Sequence, residues 1–367
     1  MHVLKRIDLK GYKSIKEISL ELRDLNVFIG ANGSGKSNLV SFFKLLGQMV
    51  AGNLQGFIGT SGGANSLLHY GAKNTPQIEA KLHSESDGVE DDYWMVLGHA
   101  PEDTLVFLKE GASLGALRVE TTQGGYKESN HTSVDPSGQP DPWWAAIFGQ
   151  ILNRCRVFQF HDTSSTASMR QKGDIDQNRS LMGDGGNLAA FLYKTQQTEP
   201  ACYQRIVGTI RQIAPFFGDF NLVPSGLNPN VIQLRWKERD RDYDFGPHLL
   251  SDGTLRAMAL VALLLQPTKD LPSVIIIDEP ELGLHPYAIA TLAGLLRSAS
   301  VHSQIIVATE SPTLLDHFEP QDVVVTERCM GETVFKRLDA KELQEWRDEY
   351  SLGELWEKNV IGGRPSR

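Results

Sequence analysis

The sequence predicts an α/β fold built on a mostly parallel central sheet, and three observations carry that expectation. An apolar run at residues 25–29 is followed by Gly30-Ala31-Asn32-Gly33-Ser34-Gly35-Lys36-Ser37, and then by a segment at 38–46 with apolar residues at helical spacing. A second run, Val274-Ile275-Ile276-Ile277-Asp278, is continuously apolar up to its last residue, as expected of a strand covered on both faces. Helix, strand and helix patterns then alternate at 286–298, 304–308 and 311–317.

Taken in order, residues 4–9 and 15–22 alternate apolar with polar side chains and predict a strand pair leading into the strand at 25–29. The stretch 51–74 is rich in Gly, Ser and Asn and reads as loop. Strand patterns at 77–82, 93–97, 104–108 and 116–120 predict an antiparallel lobe, and 124–142 reads as an exposed connection. A strand at 156–160 and a loop-like segment at 161–186 precede helical spacing at 187–193 and 203–213. Residues 231–236 alternate as a strand, and 254–265 read as a buried helix. The expected organisation is one composite domain: a core at 1–55 and 251–340, an inserted mixed and helical lobe at 56–250, and a helical tail at 341–367. There is no repeat period and no sustained heptad pattern.

The 367 residues are 41% hydrophobic, enough for a substantial core. A net charge of −9 excludes a surface that is basic all round, so nucleic acid would have to meet local patches. Two basic clusters qualify, Lys5, Arg6, Lys10, Lys13 and Lys16, and Arg235, Lys237, Arg239 and Arg241, with solvated surface as their default reading. Cys155, Cys202 and Cys329 are far apart and form no C-x-x-C pair, which fits a reducing compartment. The start of the chain lacks the apolar stretch of a signal peptide, and the longest apolar run, 257–265, is about half of the roughly twenty residues a membrane span needs. The expected address is the cytoplasm, without membrane contact.

The chemistry follows from the glycine-rich segment. Gly30 to Ser37 matches G-x-x-x-x-G-K-[ST] between strand and helix, where backbone N–H groups of Gly30, Asn32, Gly33, Ser34 and Gly35 can converge on an anion. Lys36 reaches terminal phosphates and Ser37 can ligate magnesium, so ATP and Mg2+ are the expected ligand and cofactor. Asp278, at the end of its apolar strand, can hold the magnesium shell, while Glu279 can orient and activate the attacking water.

Between these motifs lies Leu250-Ser251-Asp252-Gly253-Thr254, a turn at the head of a helix in which Ser251 by itself reads as an N-cap. With the Asp278-Glu279 strand shortly after it, the turn resembles the L-S-G-G-Q signature of the ATP-binding-cassette ATPases, although Asp252 and Thr254 depart from that consensus. Asn38 stands where transporter ATPases usually have Thr, and the opening of the chain and Glu279-Pro280-Glu281-Leu282-Gly283-Leu284-His285-Pro286 resemble the SMC, RecF and OLD-type ATPases. The resemblance covers residues 1 to about 56 and about 248 to 338.

That resemblance implies an ATPase that dimerises head to tail with nucleotide at the interface. Ser251 and Gly253 then complete the partner's site, and Asn38 joins the nucleotide-binding set. It makes Gln159 a candidate link between magnesium and water, with an edge-strand Gln as the equal alternative; His161 and Asp162 either face the nucleotide or cap the next turn, and the turn is the favoured reading. A His usually follows the strand corresponding to 304–308 in the family, but Glu310 occupies that place. An ionised carboxylate cannot donate to phosphate, which implies slow hydrolysis or a role for Glu310 on water or a partner.

Only about 240 residues separate Lys36 from Asp278, without heptads, so long coiled-coil arms are not expected. About thirty residues follow Leu338, fewer than a TOPRIM-type nuclease domain requires. A nuclease effector is therefore expected on a separate chain, in a DNA-linked role such as antiphage defence or repair, with direct DNA contact as an open alternative. The rival readings are a nucleotide-dependent scaffold with little turnover and a transporter energy subunit. Trp143-Trp144 reads as buried core of the inserted lobe, with an anchor to a partner as the alternative.

Overall fold

A computed structural model describes residues 2–86, 88–120, 124–129, 152 and 155–364. The central sheet runs, edge to edge, Glu332–Arg337, Val323–Cys329, Leu25–Ile29, Gln304–Thr309, Val274–Asp278 and Cys155–Phe158. Every neighbouring pair is parallel except the first, which is antiparallel. Alternating side chains divide the apolar strands between two cores. Val27, Ile29, Ile275, Ile277, Ile305 and Val307 face one, together with the helices Asp252–Leu265 and Pro286–Ser300. Phe28, Val274, Ile276, Ile306 and Ala308 face the other, covered by Leu39, Phe42, Phe43 and Leu46 of the helix Lys36–Val50. Because the strands are parallel, Ile29, Phe158, Asp278 and Thr309 all end at the same edge, where ligands of open α/β sheets bind.

A second six-stranded sheet is wholly antiparallel, in the order Ile15–Glu21, His2–Tyr12, Gln77–Ser86, Val89–Ala100, Thr104–Leu114, Leu117–Glu120. It contains the expected antiparallel lobe, but its strands come from both sides of residue 56. Cys155–Phe158, which also lies between 56 and 250 in sequence, belongs to the central sheet. Local patterns show that strands exist and are silent on which distant strand each one pairs with. Gln304 joins the two sheets: its side chain accepts the Leu4 N–H at 3.0 Å and donates to the carbonyls of Leu4 at 2.8 Å and Arg23 at 2.9 Å.

Two expectations about elements are corrected. Residues 51–74 are not all loop, since helices Leu54–Thr60 and Ala64–Leu67 bury Leu54, Ile58, Ala64 and Leu67; sparse apolar positions among Gly, Ser and Asn hid that face. The alternation at 231–236 is not one strand. Val231–Ile232 pairs with Gly173–Asp174, and Trp236–Glu238 pairs with Phe217–Phe220, so the segment changes partners midway. Helices Leu188–Thr198 and Pro200–Ile213 lie where helical spacing placed them, and the tail holds helices Gln344–Arg347 and Leu352–Glu357. The connection expected at 124–142 is described only over 124–129, and Trp143 and Trp144 lie outside the described residues.

Candidate nucleotide-binding site

The glycine-rich loop leaves the central strand after Ile29 and enters the helix at Lys36. Gly35 is the turning point: its φ of 116° lies in the left-handed region, and a Cβ there would meet the Thr333 hydroxyl at 2.0 Å. That hydroxyl donates to the Ser34 carbonyl at 2.9 Å, so the edge hairpin braces the loop from outside. Asn32, Gly33 and Ser37 are exposed, whereas Gly30, Ser34, Gly35 and Lys36 are buried. The Ser34 hydroxyl has no partner among the described residues. The Asn38 amide donates to the Ser14 hydroxyl.

Lys36 is 4% exposed and fully engaged. Its ammonium donates to the carbonyls of Gly30 at 2.6 Å and Ala31 at 3.1 Å and to Glu310 Oε1 at 3.0 Å. Glu310 follows the neighbouring strand Gln304–Thr309 and is positioned by Glu281, a residue whose role the sequence did not reveal. One Glu281 oxygen accepts both the Thr309 hydroxyl at 2.5 Å and the Glu310 N–H at 3.2 Å. Its other oxygen is buried without a partner among the described residues. Burial pushes the Glu281 carboxyl up, against the pull of the Thr309 hydroxyl. The only sequence signal was a second Glu two positions after Glu279.

Asp278 is 5% exposed. Its Oδ2 accepts from Gln159 Nε2 at 2.5 Å, and its Oδ1 has no partner among the described residues. Burial pushes the Asp278 carboxyl up, while the Gln159 hydrogen bond and then His161, Lys44 and Lys36 pull it down. A buried, orphaned carboxylate oxygen is costly unless a cation completes it. Asp278 Oδ1 and the exposed Ser37 hydroxyl are oxygen donors of the kind magnesium takes with nucleotide phosphates, so the residues fit that ion. Gln159 is on the Asp278 side of the site, yet its Oε1 accepts from Lys44, so its carbonyl oxygen is already engaged.

Glu279 has φ 45°, a left-handed conformation that costs a non-glycine residue energy and that the surroundings must enforce. Its N–H donates to the Ala308 carbonyl at 2.8 Å. Of the two readings of His161, the less favoured one fits its contacts: its Nε2 is 2.9 Å from the Asp278 carbonyl oxygen and 3.9 Å from Glu279 Oε2. Since the carbonyl can only accept, Nε2 carries the proton. Asp162 does cap the turn, accepting the Ser164 N–H at 3.0 Å.

The Ser251 turn lies elsewhere on the same chain. Ser251 caps its helix, accepting the Thr254 N–H at 3.2 Å, and Gly253 packs on Gly283 in the loop beyond Glu279. Among the described residues no hydrogen bond joins either to the phosphate loop. Arg256, one turn further, donates to the carbonyls of Phe160 at 2.9 Å, His161 at 2.8 Å and Leu282 at 3.1 Å. It ties this helix to the loops bearing Gln159 and Glu279, a link the sequence did not announce.

Comparison with known proteins agrees with this arrangement. Residues 3–86 match the family described as "AAA ATPase domain", and residues 150–316 match "AAA domain, putative AbiEii toxin, Type IV TA system". The fold is that of an SMC head bound to the C-winged helix domain of ScpA, with a TM-score of 0.63 at 15% identity over 93% of this chain and 99% of that one. An Smc head domain from Pyrococcus furiosus, bound to the C-terminal domain of ScpA, gives 0.60 at 13% identity over 95% and 99%. The Old nuclease of Escherichia phage P2 is 21% identical over 387 residues. By fold and by its phosphate-loop motif the chain is similar to the SMC/OLD-like P-loop ATPases. This chain aligns over 93% of its own length and spans 62% of the length of the Old nuclease. Among its described residues, no helix is long and apolar enough to cross a membrane.

Proposed function

We propose that the chain binds and hydrolyses ATP with magnesium, as a head-to-tail dimer in which nucleotide state gates an effector. The observation that carries this reading is the convergence at one sheet edge of Lys36, Ser37, Gln159, Asp278 and Glu279, with a buried Asp278 oxygen left for a cation. The loop's N–H groups and Lys36 bind and orient the phosphates. Ser37 and Asp278 hold magnesium, which when bound neutralises charge on the transferring phosphoryl group. Glu279 accepts a proton from the attacking water, and the His161 Nε2–H fixes the Asp278 carbonyl next to it. Ser251 and Gly253, unconnected to their own chain's phosphate loop, are free to complete the partner's site.

The likeness to the Old nuclease supports a nuclease of TOPRIM type as the effector and antiphage defence or repair as the setting. Direct DNA contact through the two basic clusters has less support, because Lys5, Arg6, Lys10 and Lys16 pair with Glu85, Asp8, Glu17 and Glu332, and Lys237 and Arg241 with Asp244 and Glu238.

Steady-state phosphate release by the native chain and by Glu279→Gln tests the catalytic reading. Turnover is expected to fall at least about a hundredfold in the variant, with nucleotide binding kept and a nucleotide-dependent dimer accumulating in sizing experiments. The Lys36–Glu310 pair favours a second reading, a scaffold that binds nucleotide and scarcely turns it over. Equal rates for native and Glu279→Gln would establish that reading instead.

A further inference from the structure

In this structure the phosphate-loop lysine already has an anion, and that anion is a side chain of the same protein. Lys36 meets Glu310 Oε1 at 3.0 Å; Lys36 is 4% exposed and the Glu310 side chain 27% exposed, so the pair sits at the inner wall of the site with one open side. The Glu310 main chain is anchored beside the loop. Its backbone N–H is fixed on Glu281, which also holds the Thr309 hydroxyl. Any phosphate that takes Lys36 must first displace this carboxylate and then lie close to it. Two anions at that distance repel strongly in a partly buried site unless a divalent cation is bound with the phosphate.

The displaced carboxylate has somewhere to go. A cavity of about 590 Å³ beside the loop is lined by Ala31, Asn32, Glu310, Trp356, Glu357 and Arg364. Arg364 is held at this mouth by its neighbour Gly363, whose carbonyl accepts the Ala31 N–H at 2.8 Å and whose N–H donates to Glu327 at 2.5 Å. Arg364 makes no ion pair among the described residues, and Glu357 is the other carboxylate facing the same space.

We propose that Glu310 is a displaceable counter-ion of Lys36: it occupies the lysine until a magnesium-bound polyphosphate takes it, and the freed carboxylate then pairs with Arg364. Glu310 thereby selects ligands that arrive with a divalent cation. This rests on the reading of the loop as an ATP site.

The test is calorimetric titration of the whole chain with the β,γ-imido analogue of ATP, with magnesium or with EDTA. Glu310→Gln, which keeps the shape and removes the charge, is expected to bind about three- to tenfold tighter, with the larger gain in EDTA. Glu310→Ala should move in the same direction. Arg364→Ala is expected to weaken binding about threefold in the native background and to have no effect beside Glu310→Gln. Affinity unchanged or reduced in both Glu310 variants overturns the counter-ion role, and an equal loss from Arg364→Ala in both backgrounds overturns the hand-over. A native chain that binds no better than Lys36→Ala sinks the ATP reading itself, whereas native binding that Lys36→Ala abolishes leaves the Glu310 variants to decide this inference.

Discussion

Gly253 and Gly283 approach so closely that a Cβ on Gly253 would lie 2.1 Å from the Gly283 carbonyl oxygen. The helix carrying Ser251 is thereby seated directly on the loop that follows Glu279. Gly253→Ala must push backbone away from backbone, since no side chain there can yield. The expected cost is about 1–3 kcal/mol of stability, read from urea unfolding, with ATP turnover reduced more than stability alone accounts for.

The buried carboxylates set a pH dependence. Asp278 and Glu281 are both pushed up by burial, so their stabilising contribution is complete below the ordinary carboxylate range and is lost as pH rises through their folded-state values. The ligand-free protein should therefore lose thermal stability as pH rises from about 4. Stabilisation by magnesium and nucleotide should grow over the same interval, because Asp278 must ionise to hold the cation. Asp278→Asn is expected to flatten the ligand-free slope and to remove the magnesium-dependent rise in Tm; melting curves with and without magnesium nucleotide decide both.

Arg170 is 7% exposed and holds the Ser251 turn from below, donating to the carbonyls of Thr163 at 2.8 Å, Leu250 at 3.2 Å and Pro247, and to Asp252 at 2.8 Å. Arg170→Met keeps the buried stem and strands these acceptors. A loss on the order of 3 kcal/mol is expected, and a chemical denaturation midpoint unchanged from native would refute it.

Arg256 makes its contacts in a partly exposed setting, so Arg256→Ala should cost only about 1–2 kcal/mol of stability. Its functional effect should be larger. Nucleotide affinity is expected to stay within about threefold of native while turnover drops more than tenfold, because the carbonyls of Phe160, His161 and Leu282 lose their common donor. Arg256→Lys should recover little, a single ammonium being unable to span all three.

Much of the central sheet was legible because its strands are continuous apolar runs and its loop obeys a motif with a physical cause. Lys36 stands in that motif, and Asp278 and Glu279 stand where an apolar strand ends, so each could be singled out from local sequence. Pairing over long sequence separation was not legible: nothing around residue 156 says that Cys155–Phe158 will lie beside Val274–Asp278. The same holds for side chains that act by reaching, such as Arg256, Glu281 and Gln304, whose neighbours in sequence are not their partners in space. For His161 local spacing favoured the turn over the site, yet the strand before it delivers the imidazole to the Asp278 carbonyl. The hydrogen bond from the Asn38 amide to Ser14, in the turn between the first two strands, was equally out of reach of local pattern.

Gln304 spends its amide on Leu4 and Arg23, and so rivets the outer antiparallel sheet to the start of the nucleotide sheet. The helix Asp252–Leu265 is joined to the loops of Gln159 and Glu279 in two ways, by the Arg256 guanidinium and by the close approach of Gly253 to Gly283. Arg256 and Gln304 thus each bind, with one side chain, parts of the fold that lie far apart in sequence.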